Sequence, residues 1–549
     1  MPETTTRRSG ASSSPPSAGV VVDGPTAPAP VAAHGAAGDA LIKPGYDPRL
    51  TNADLAPLRE QKWGSYNLFA FWMSDVHSVG GYVTAGSLFA LGLASWQVFV
   101  ALIAGITIVY FLCNLVAKPS QVTGVPYAVV NRAVFGVKGA NLPAIIRGAI
   151  AVAWYGIQTY LASAALDVVL IRLWPGLAPY ADASQHGFLG LSVLGYATYA
   201  FLWAVQAAVF WRGMESIRRF IDFCGPAVYV VMFVLCGYLL VKADFNVSLT
   251  LSEKALTPLQ QLGTMLSATA LVVAYFSGPM LNFGDFSRYA RSFSAVKKGN
   301  FLGLPVNFVL FSLLTVLTAA ATLPVYGRLI TDPVETVAQI DSTFAVVLGA
   351  VTFTTATIGI NIVANFIAPA FDFSNVNPQK ISWRAGGMIA AVGSVVLTPW
   401  NWYANDTAIH YTLGILGALI GPLFGVLIAD YFLVRKQRIA VDAMYSMDER
   451  GGYWYRKGYN PDALVATCVA GGVAIASVLL PRLLGEALWI SDWAWFVGCG
   501  LGLVVYRALA LRPGSPTLAA IAVAETEPGM TDGTTHDDRA TAPAVVDVR

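Results

Sequence analysis

Charged side chains are scarce in this sequence. Of its 549 residues, only 12% are Asp, Glu, Lys or Arg, whereas an ordinary soluble domain has roughly a quarter. Lys and Arg (34) nearly balance Asp and Glu (32), so the formal net charge is only +2. This balance excludes a nucleic-acid-binding protein that relies on a basic surface.

Metal-binding and catalytic motifs are also lacking. The five cysteines stand singly in apolar stretches, with no CxxC pair to predict a disulfide or a metal site. The five histidines are scattered, and the sequence contains no HExxH, GxSxG or P-loop motif. We therefore expect a protein that is not an enzyme and that has no cofactor and no metal.

Apolar residues are abundant instead. They make up 56% of the chain, and the mean hydropathy is +0.59. A helix needs about 20 predominantly apolar residues to span a bilayer, whereas a membrane barrel has short alternating strands. The sequence predicts an all-α polytopic membrane protein with twelve transmembrane helices, at 66–90, 96–117, 144–171, 190–211, 220–241, 262–283, 303–324, 343–370, 386–402, 409–434, 463–481 and 489–508.

The two ends of the chain differ in composition from the middle. Residues 1–60 are rich in Ala, Pro, Gly, Ser and Thr, and residues 513–549 carry acids with Thr, Ala and Pro. Both compositions are typical of disorder. We predict disordered cytoplasmic tails at 1–60 and 513–549, around one transporter domain at 61–512.

Basic residues give the orientation of the helices. With the N-terminus inside, the inner loops hold nineteen Lys and Arg and the outer loops hold five. Cytoplasmic loops are enriched in these residues. The sequence therefore predicts a multi-pass protein of the plasma (cytoplasmic) membrane with both termini in the cytoplasm.

Two predicted helices contain residues that favour a break. The first carries Ser78-Val79-Gly80-Gly81 and the sixth carries Ser277-Gly278-Pro279, each near its middle. Paired breaks in corresponding segments are typical of transporters built from inverted repeats; glycine that permits close helix packing is the alternative. We predict five-plus-five repeats at about 66–241 and 262–434, with two extra helices at about 463–508.

Several polar and aromatic residues inside the predicted helices are candidates for ligand binding. Trp154 and Gln158 share one face of the third helix and suit a small planar molecule with amide groups. Asn361 and Asn365 share a face of the eighth helix, where two amides fit either a ligand contact or helix–helix contact. Phe276, directly before the predicted break in the sixth helix, is a candidate second aromatic wall.

Asp75 and His77 precede the predicted break in the first helix. Ionisable groups inside a membrane are costly, so they are candidates for function. His titrates near neutral pH and is able to carry a coupling proton. Hydrogen bonding to neighbouring helices is the structural alternative for both residues.

The chain resembles the nucleobase:cation symporter-1 family over roughly residues 60–510. The similar segments are NLFAFWMSDVHSVGGY (67–82), WYGIQTYLASAALD (154–167), GDFSRY (284–289), NIVANFIAPAFDFSN (361–375) and GPLFGVLIADYFLVRKQRI (421–439). The resemblance implies a LeuT-like inverted-repeat fold and cation symport of a nucleobase or related planar ring such as uracil, hydantoin, allantoin, cytosine or a purine.

The resemblance also implies a role for individual residues. Trp154 and Phe276 match positions that stack on the ring, and Gln158 and Asn365 match positions that hydrogen-bond to it. Ser78 matches a first-helix residue near the substrate. Phe276 departs from the tryptophan found at its position in a sodium-coupled member of the family.

The residues that match the cation site depart further. Ser74, His77 and Ala356 match positions that offer backbone carbonyls, whereas Gly359 and Ile360 stand where the sodium-coupled member has hydroxyl side chains. Sodium prefers oxygen ligands, so the loss of two hydroxyls weakens such a site. With Asp75 and His77 nearby, we predict coupling to a proton (H+), with sodium (Na+) as the alternative.

Other functions remain possible on the sequence alone. A transporter of amino acids or amines would use the same fold. A membrane-embedded enzyme would need a nucleophile–base pair or metal cluster that the sequence does not offer, and a channel would not saturate with substrate as a carrier does. The predicted partners are thus a planar small molecule, a coupling cation and the lipid bilayer.

Overall fold

The structure is a computed structural model that describes residues 40–77, 79–250, 256–403, 406–484 and 489–534. Among these residues, membrane helices follow the order of the predicted segments. Helices 1 to 6 are Ser65–Val76 with Val79–Ser87, Ser95–Thr123, Asn141–Leu173, Val193–Trp211, Met214–Lys242 and Pro258–Leu281. Helices 7 to 12 are Phe293–Tyr326, Thr343–Val376, Trp383–Val396, Asp406–Val434, Pro461–Leu483 and Ala494–Ala510.

Length and hydropathy support the membrane assignment. In the described part of the chain, eight helices have at least 18 residues and are apolar enough to cross a bilayer, namely helices 2, 3, 4, 6, 7, 8, 10 and 11. Shorter apolar stretches lie in helices 5, 9 and 12. Helix 1 is divided into two short halves. The all-α polytopic fold class is therefore confirmed.

Short elements connect the membrane helices. The short helices are Phe89–Leu91, Tyr127–Phe135, Pro175–Ala181, Gly284–Ser287, Pro333–Ala338, Pro399–Trp402, Asp442–Tyr445, Trp489–Ser491 and Pro516–Ala524. Strand Gly187–Phe188 pairs antiparallel with Leu191–Ser192, and Arg438–Ala440 pairs antiparallel with Met530–Asp532.

Local sequence explains where several helices begin and end. Ser192 and Thr257 cap helices 4 and 6, each side chain accepting a hydrogen bond from a backbone N–H of the first turn. Helices 2 and 7 end at Gly124 and Gly327, whose φ angles are +70° and +75°. Glycine adopts this left-handed conformation without steric cost.

The break in helix 1 is confirmed, close to its predicted place. The first half ends at Val76, and His77 leaves the helical conformation with ψ +55°. The second half begins at Val79, so Gly80 lies inside a helix rather than in the break. Ser78, between the halves, lies outside the described residues.

The predicted break in helix 6 is wrong. Pro258–Leu281 is one continuous α-helix through Ser277, Gly278 and Pro279. A proline removes the backbone N–H that bonds to the carbonyl four residues earlier. Pro279 therefore costs helix 6 one hydrogen bond in the turn before it and does not end the helix. The carbonyl of Gly278 also accepts a hydrogen bond from Arg147 Nε at 3.3 Å.

Irregular turns occur instead in helices that we expected to be regular. Helices 7, 8 and 10 contain π-helical turns at Leu302–Val306, Val363–Ile367 and Ala429–Val434. Such turns insert an extra residue and are frequent at functional sites. The turn in helix 8 contains Asn365, one of the predicted site residues.

The helices form two packed groups. Helix 1 packs on helix 7, and helix 2 packs on helices 6 and 7, while helix 3 packs on helices 4, 8 and 9. Helices 5 and 10 also contact both groups. The two halves of helix 1 lie where the groups meet, since they contact helix 8 and helix 3 as well as helix 7.

The predicted N-terminal tail ends earlier than expected. Residues 40–63, here called the N-terminal strap, pack against the helix ends. Arg288, which is fully buried, donates from Nη1 to the Asp54 carbonyl at 2.9 Å and from Nη2 to the Ala56 carbonyl at 2.6 Å. Composition predicted disorder, but buried backbone acceptors that find donors favour order.

Other contacts hold the beginning of the strap. Tyr46 stacks on Tyr445 with ring centroids 4.4 Å apart and donates to the Asp442 carboxylate at 2.6 Å. Burial raises the pKa of Asp54, whose carboxylate accepts the Trp383 N–H at 3.3 Å. The strap is therefore part of the folded protein.

The C-terminal tail also begins later than the predicted residue 513. Helix Pro516–Ala524 and strand Met530–Asp532 are ordered, and Thr517 and Ser515 both donate to Asp462 at 2.8 Å. Residues 1–39 and 535–549 lie outside the described residues, so the tail prediction there stays a prediction.

Candidate functional site

Trp154 lies in the middle of helix 3 and is buried, with 7% of its surface exposed. Its ring meets Tyr275 of helix 6 edge to face, with centroids 5.4 Å apart, and lies 6.0 Å from the ring of Tyr403. Tyr403 follows helix 9, and its hydroxyl hydrogen-bonds to Thr84 Oγ1 at 2.9 Å. Trp154 is therefore in contact with rings that enter from two other helical segments.

Gln158 is one turn further along helix 3 and is 3% exposed. Its amide lies against the backbone of Gly80 in the second half of helix 1, because a Cβ atom placed at Gly80 would be only 2.8 Å from Nε2. Its Oε1 is buried without a hydrogen-bond partner among the described residues. Buried acceptors are rarely left unpaired, so this oxygen is suited to a ligand donor.

A narrow cavity of about 10 Å³, roughly the space of one water molecule, lies next to these residues. It is lined by Val76, Gly81, Thr84, Ala85, Leu88, Leu102, Val272, Tyr275, Phe276, Phe308 and Phe311. The lining comes from helices 1, 2, 6 and 7. Most of this lining is apolar or aromatic.

Phe276, a predicted site residue, lines this cavity. The other predicted substrate-binding residues that the structure describes do not line it, namely Trp154, Gln158, Asn361 and Asn365. Tyr275 separates the cavity from Trp154, because it belongs to the lining and also contacts the indole ring. Phe276 itself meets Tyr275 at 5.1 Å. The two predicted aromatic walls are thus neighbours of the same tyrosine.

Asn361 forms part of a hydrogen-bond network between helices. Its Nδ2 lies 3.0 Å from the Tyr155 carbonyl, 3.0 Å from Thr159 Oγ1 and 2.8 Å from Gln206 Oε1. Its Oδ1 accepts from Asn365 Nδ2 at 3.0 Å. Of the two interpretations left open for Asn361, this geometry favours contact between helices 3, 4 and 8.

The predicted cation residues lie at the contact of helix 1 with helix 8 and with helices 5 and 7. Ser74, Asp75, His77, Ala356 and Gly359 are all buried. Gly359 and Ala356 offer no side-chain oxygen. The hydroxyl of Thr354, on the same helix, donates to the Ala162 carbonyl at 3.3 Å.

His77 and Asp75 have different surroundings. His77 Nδ1 hydrogen-bonds to the Tyr82 hydroxyl at 2.9 Å, and its ring lies 4.0 Å from the ring of Tyr229. Asp75 instead lies within electrostatic range of Arg147. The structure thus places His77 among aromatic rings of helices 1, 5 and 7, and Asp75 toward a buried cation.

Arg147 is a residue that sequence reasoning missed, because it was counted with the loops. It is 1% exposed, and it donates from Nη2 to the Ala364 carbonyl at 3.5 Å, next to Asn365. Three carboxyl groups lie within its electrostatic range, those of Asp75, Asp285 and Asp372. Arg147 stands only six residues after the start of helix 3, so its position in the sequence did not indicate that it lies among three buried carboxyl groups.

Asp285 and Asp372 are joined by one amide. Asn282 Nδ2 lies 3.2 Å from Asp285 Oδ2 and 3.3 Å from Asp372 Oδ2. Asp285 Oδ1 also accepts the backbone N–H of Tyr127 at 2.8 Å. Asp372 Oδ1 and Arg147 Nη1 are buried without hydrogen-bond partners among the described residues.

Sequence reasoning also missed Tyr275, Tyr403 and Thr84 as site residues, and it named Gly80 only as part of the predicted break in helix 1. Tyr275 directly precedes Phe276, so the pattern Tyr-Phe before Ser-Gly-Pro was an available signal for it. Tyr403 and Thr84 are far apart in sequence and carry no motif. Only the fold brings them together.

A polytopic helical bundle with a divided first helix and a buried aromatic and amide site is typical of membrane transporters. The sequence profile of a family described as "Permease for cytosine/purines, uracil, thiamine, allantoin" matches residues 56–498. The chain belongs to this family of permeases, the nucleobase:cation symporter-1 family, as its motifs predicted.

Individual proteins agree with this assignment. The chain is 33% identical to the allantoin permease of Bacillus subtilis over 87% of its own length and 96% of that protein. It is 31% identical to the purine-uracil permease of Arabidopsis thaliana, over 80% and 73% of the two lengths.

A solved structure shows the same fold. Mhp1, a nucleobase-cation-symport-1 family transporter in a closed conformation with bromovinylhydantoin bound, matches with a TM-score of 0.69 and 24% identity. The match covers 87% of this chain and 97% of that chain.

Proposed function

We propose that this protein is a secondary active transporter that imports a nucleobase or related planar cyclic amide together with a proton by alternating access. The observation that carries the proposal is the unpartnered Gln158 Oε1 beside the Trp154 ring in a permease fold. The relatives named for allantoin, purines and uracil support a ring with amide groups as the substrate.

The ring would bind between Trp154 and Phe276, with Gln158 and Asn365 facing its amide edge. Tyr275 stands between the two aromatic residues, so its ring must turn for a substrate to stack on both. Asn365 would exchange its hydrogen bond to Asn361 for one to the substrate. Ser78 stays a sequence-based candidate.

Buried charge favours the proton over sodium. Asp75, Asp285 and Asp372 lie around Arg147, and Arg288 is within range of Asp285. Three carboxylates facing two guanidinium groups would leave a net negative charge in an apolar interior, which is costly. A bound proton removes that charge without the hydroxyl ligands that helix 8 lacks at Gly359.

Asp75 is a better candidate than His77 for the group that carries the coupling proton. Asp75 interacts with Arg147, which also contacts the Ala364 carbonyl beside Asn365. A change in the charge of Asp75 would therefore alter the interactions of Arg147 with helix 8 next to Asn365, a proposed substrate-binding residue. His77 contacts a tyrosine hydroxyl and aromatic rings. Among the described contacts, none connects His77 to Asn365 in the way that Arg147 connects Asp75 to it.

Uptake into membrane vesicles with imposed gradients tests the coupling. We expect an inward proton gradient to drive accumulation of a labelled ring, with no requirement for sodium. Asp75→Asn should abolish accumulation against a gradient while exchange of labelled for unlabelled ring persists. Uptake that follows sodium and ignores pH would overturn proton coupling.

A panel of rings identifies the substrate. Allantoin, hydantoin, uracil, cytosine and adenine share planar amide or amidine edges, and each should be tested for thermal stabilisation of the purified protein and for competition with the others. We expect one or more to bind. Stabilisation by amino acids or amines, and by none of the rings, would overturn the proposal.

The proposed direction requires both termini in the cytoplasm of a cell whose plasma membrane holds the protein. The uneven distribution of Lys and Arg between loops supports this orientation. Epitope tags at both ends should be protected from protease in intact cells and become accessible after permeabilisation.

A further inference from the structure

Gly80 and Gln158 approach each other unusually closely. A Cβ atom added at Gly80 would lie 2.8 Å from Nε2, 2.9 Å from Oε1 and 3.1 Å from Cδ of Gln158. These three atoms make up the carboxamide, so the whole amide group lies against the Gly80 backbone. Any other residue at position 80 would occupy the space that the amide uses.

No hydrogen bond to a described residue holds the oxygen of the Gln158 amide in its position. Gln158 Oε1 is buried and has no partner in the described part of the chain. The second half of helix 1, which carries Gly80, packs directly on helix 3, which carries Gln158. Contact with the glycine therefore limits how far the amide moves toward helix 1.

We propose that Gly80 is a positioning residue that sets the place of the Gln158 amide in the binding site. This inference rests on the proposed function, because it concerns the same site. The glycine lets the amide withdraw toward helix 1, which leaves room for a ring beside Trp154. Helix 1 and the ligand-binding amide are thereby coupled, since movement of one half of helix 1 moves the surface on which the amide rests.

The effect of a side chain at position 80 has a definite direction. A methyl group would push the Gln158 amide away from helix 1 by several tenths of an ångström. The amide is the end of a flexible side chain, so the fold accommodates the change. Alanine also favours a helix more than glycine does. Gly80→Ala should therefore leave the protein folded and impair ligand binding.

The test uses the full chain in proteoliposomes, with the tightest-binding ring among allantoin, hydantoin, uracil, cytosine and adenine as the labelled probe. For Gly80→Ala we expect KM to rise roughly tenfold, the effect of one weakened hydrogen bond, with a maximal rate close to that of the wild type. Gly237→Ala is the matched control, since a Cβ atom there meets nothing within 4 Å; we expect its KM to be unchanged.

A double variant separates positioning from a general structural role. If Gly80 acts through the amide, Gly80→Ala combined with Gln158→Ala should have the same KM as Gln158→Ala alone. A wild-type KM for Gly80→Ala, or effects that simply add, would overturn the inference. A wild-type KM for Gln158→Ala would instead overturn the proposed binding site itself.

Discussion

At the scale of single residues, the aromatic ring and the amide of helix 3 have separate consequences for binding. Trp154 is surrounded by the rings of Tyr275 and Tyr403, whereas Gln158 has an acceptor that no described residue satisfies. A ring ligand would gain stacking from the first and a hydrogen bond from the second. Each contribution comes from a side chain, so a substitution at Trp154 or Gln158 removes it and leaves the backbone contacts of helix 3 in place.

We predict that Trp154→Ala and Gln158→Ala each weaken ligand binding markedly. For Gln158→Ala, roughly 1–3 kcal/mol is expected, because a polar group of the bound ligand is left unpaired. Binding affinity is measured on purified protein by isothermal titration with a ring from the panel. Trp96→Ala serves as the control, since Trp96 is 47% exposed on the outside of the bundle. Normal affinity in both site variants would place the site elsewhere.

Asp332 gives a prediction about pH and stability. It lies between helices 7 and 8 and caps helix Pro333–Ala338 by accepting the Val334 N–H at 2.8 Å. Its side chain is half-buried, and the partial loss of contact with water raises its pKa to about 6. Because the folded-state pKa lies above the unfolded value, this group destabilises the protein as pH rises from about 4 through 6. At neutral pH the charged Asp332 lowers the free energy of unfolding by at most roughly 3 kcal/mol.

Asp332→Asn keeps an acceptor for the cap and removes this charge. We predict a higher melting temperature than that of the wild type at pH 8, with a difference that shrinks toward pH 4. Asp182→Asn is a suitable control, since Asp182 is partly exposed and its pKa is lowered by a hydrogen bond from Ser184. A stabilisation by Asp332→Asn that is equal at pH 4 and pH 8 would contradict the assignment.

At the scale of elements, helix 8 combines a structural amide with a candidate binding amide one turn apart. Asn361 contacts helices 3 and 4, and Asn365 lies in the π-helical turn Val363–Ile367. We predict that Asn361→Leu lowers stability by roughly 1–3 kcal/mol, because Gln206 and Thr159 lose a buried partner. The measurement is thermal unfolding followed by intrinsic fluorescence.

Asn365→Ala is the matched comparison for that variant. It removes one hydrogen bond to Asn361, so we expect a smaller loss of stability and a larger loss of ring binding. The opposite pattern, with Asn361 needed for binding and Asn365 only for stability, would show that the two roles are exchanged.

Helix 6 shows why local composition misled the prediction of a break. Ser277-Gly278-Pro279 contains two residues that disfavour helices, yet the helix continues to Leu281. A proline removes one hydrogen bond in the turn before it, and helix 6, which packs on helices 2 and 10, continues through that loss. The break in helix 1 is different, since His77 has non-helical backbone angles and a new helix starts at Val79.

At the scale of the whole molecule, the N-terminal strap connects parts of the bundle that are distant in sequence. Arg288 binds the carbonyls of Asp54 and Ala56 and also that of Gly124, at 3.1 Å from its Nε. The strap thereby joins the ends of helices 2 and 6. Asn52 Nδ2 adds the end of helix 8 through Ser374 Oγ at 2.8 Å.

We predict that Arg288→Gln loosens the strap and lowers the stability of the whole protein by at least roughly 2 kcal/mol, because buried carbonyls lose charged donors. Hydrogen–deuterium exchange should increase most at residues 47–58. Lys43→Ala removes only a half-exposed ion pair with Asp442, and such pairs contribute about 1 kcal/mol or less. Equal effects of the two substitutions would contradict this assignment.

The sequence by itself determined the all-α polytopic membrane fold, the order of the helices and the family. Runs of about 20 apolar residues leave a bilayer-spanning helix as the stable outcome, because backbone groups in lipid must bond within the segment. Trp154, Gln158 and Asn365 became candidates for ligand binding from one-turn spacing and from motifs, which local sequence does contain. The break in helix 1 was also within reach of that reasoning.

Only the tertiary structure decided which of these residues meet. Tyr275 stands between Trp154 and the cavity, Gly80 lies against the Gln158 amide, and Arg147 faces Asp75, Asp285 and Asp372. It also ordered strap residues whose composition favoured disorder, through donors such as Arg288 more than 200 positions away. Contacts between distant segments depend on how helices pack, and packing has no signature in the spacing of residues along one helix.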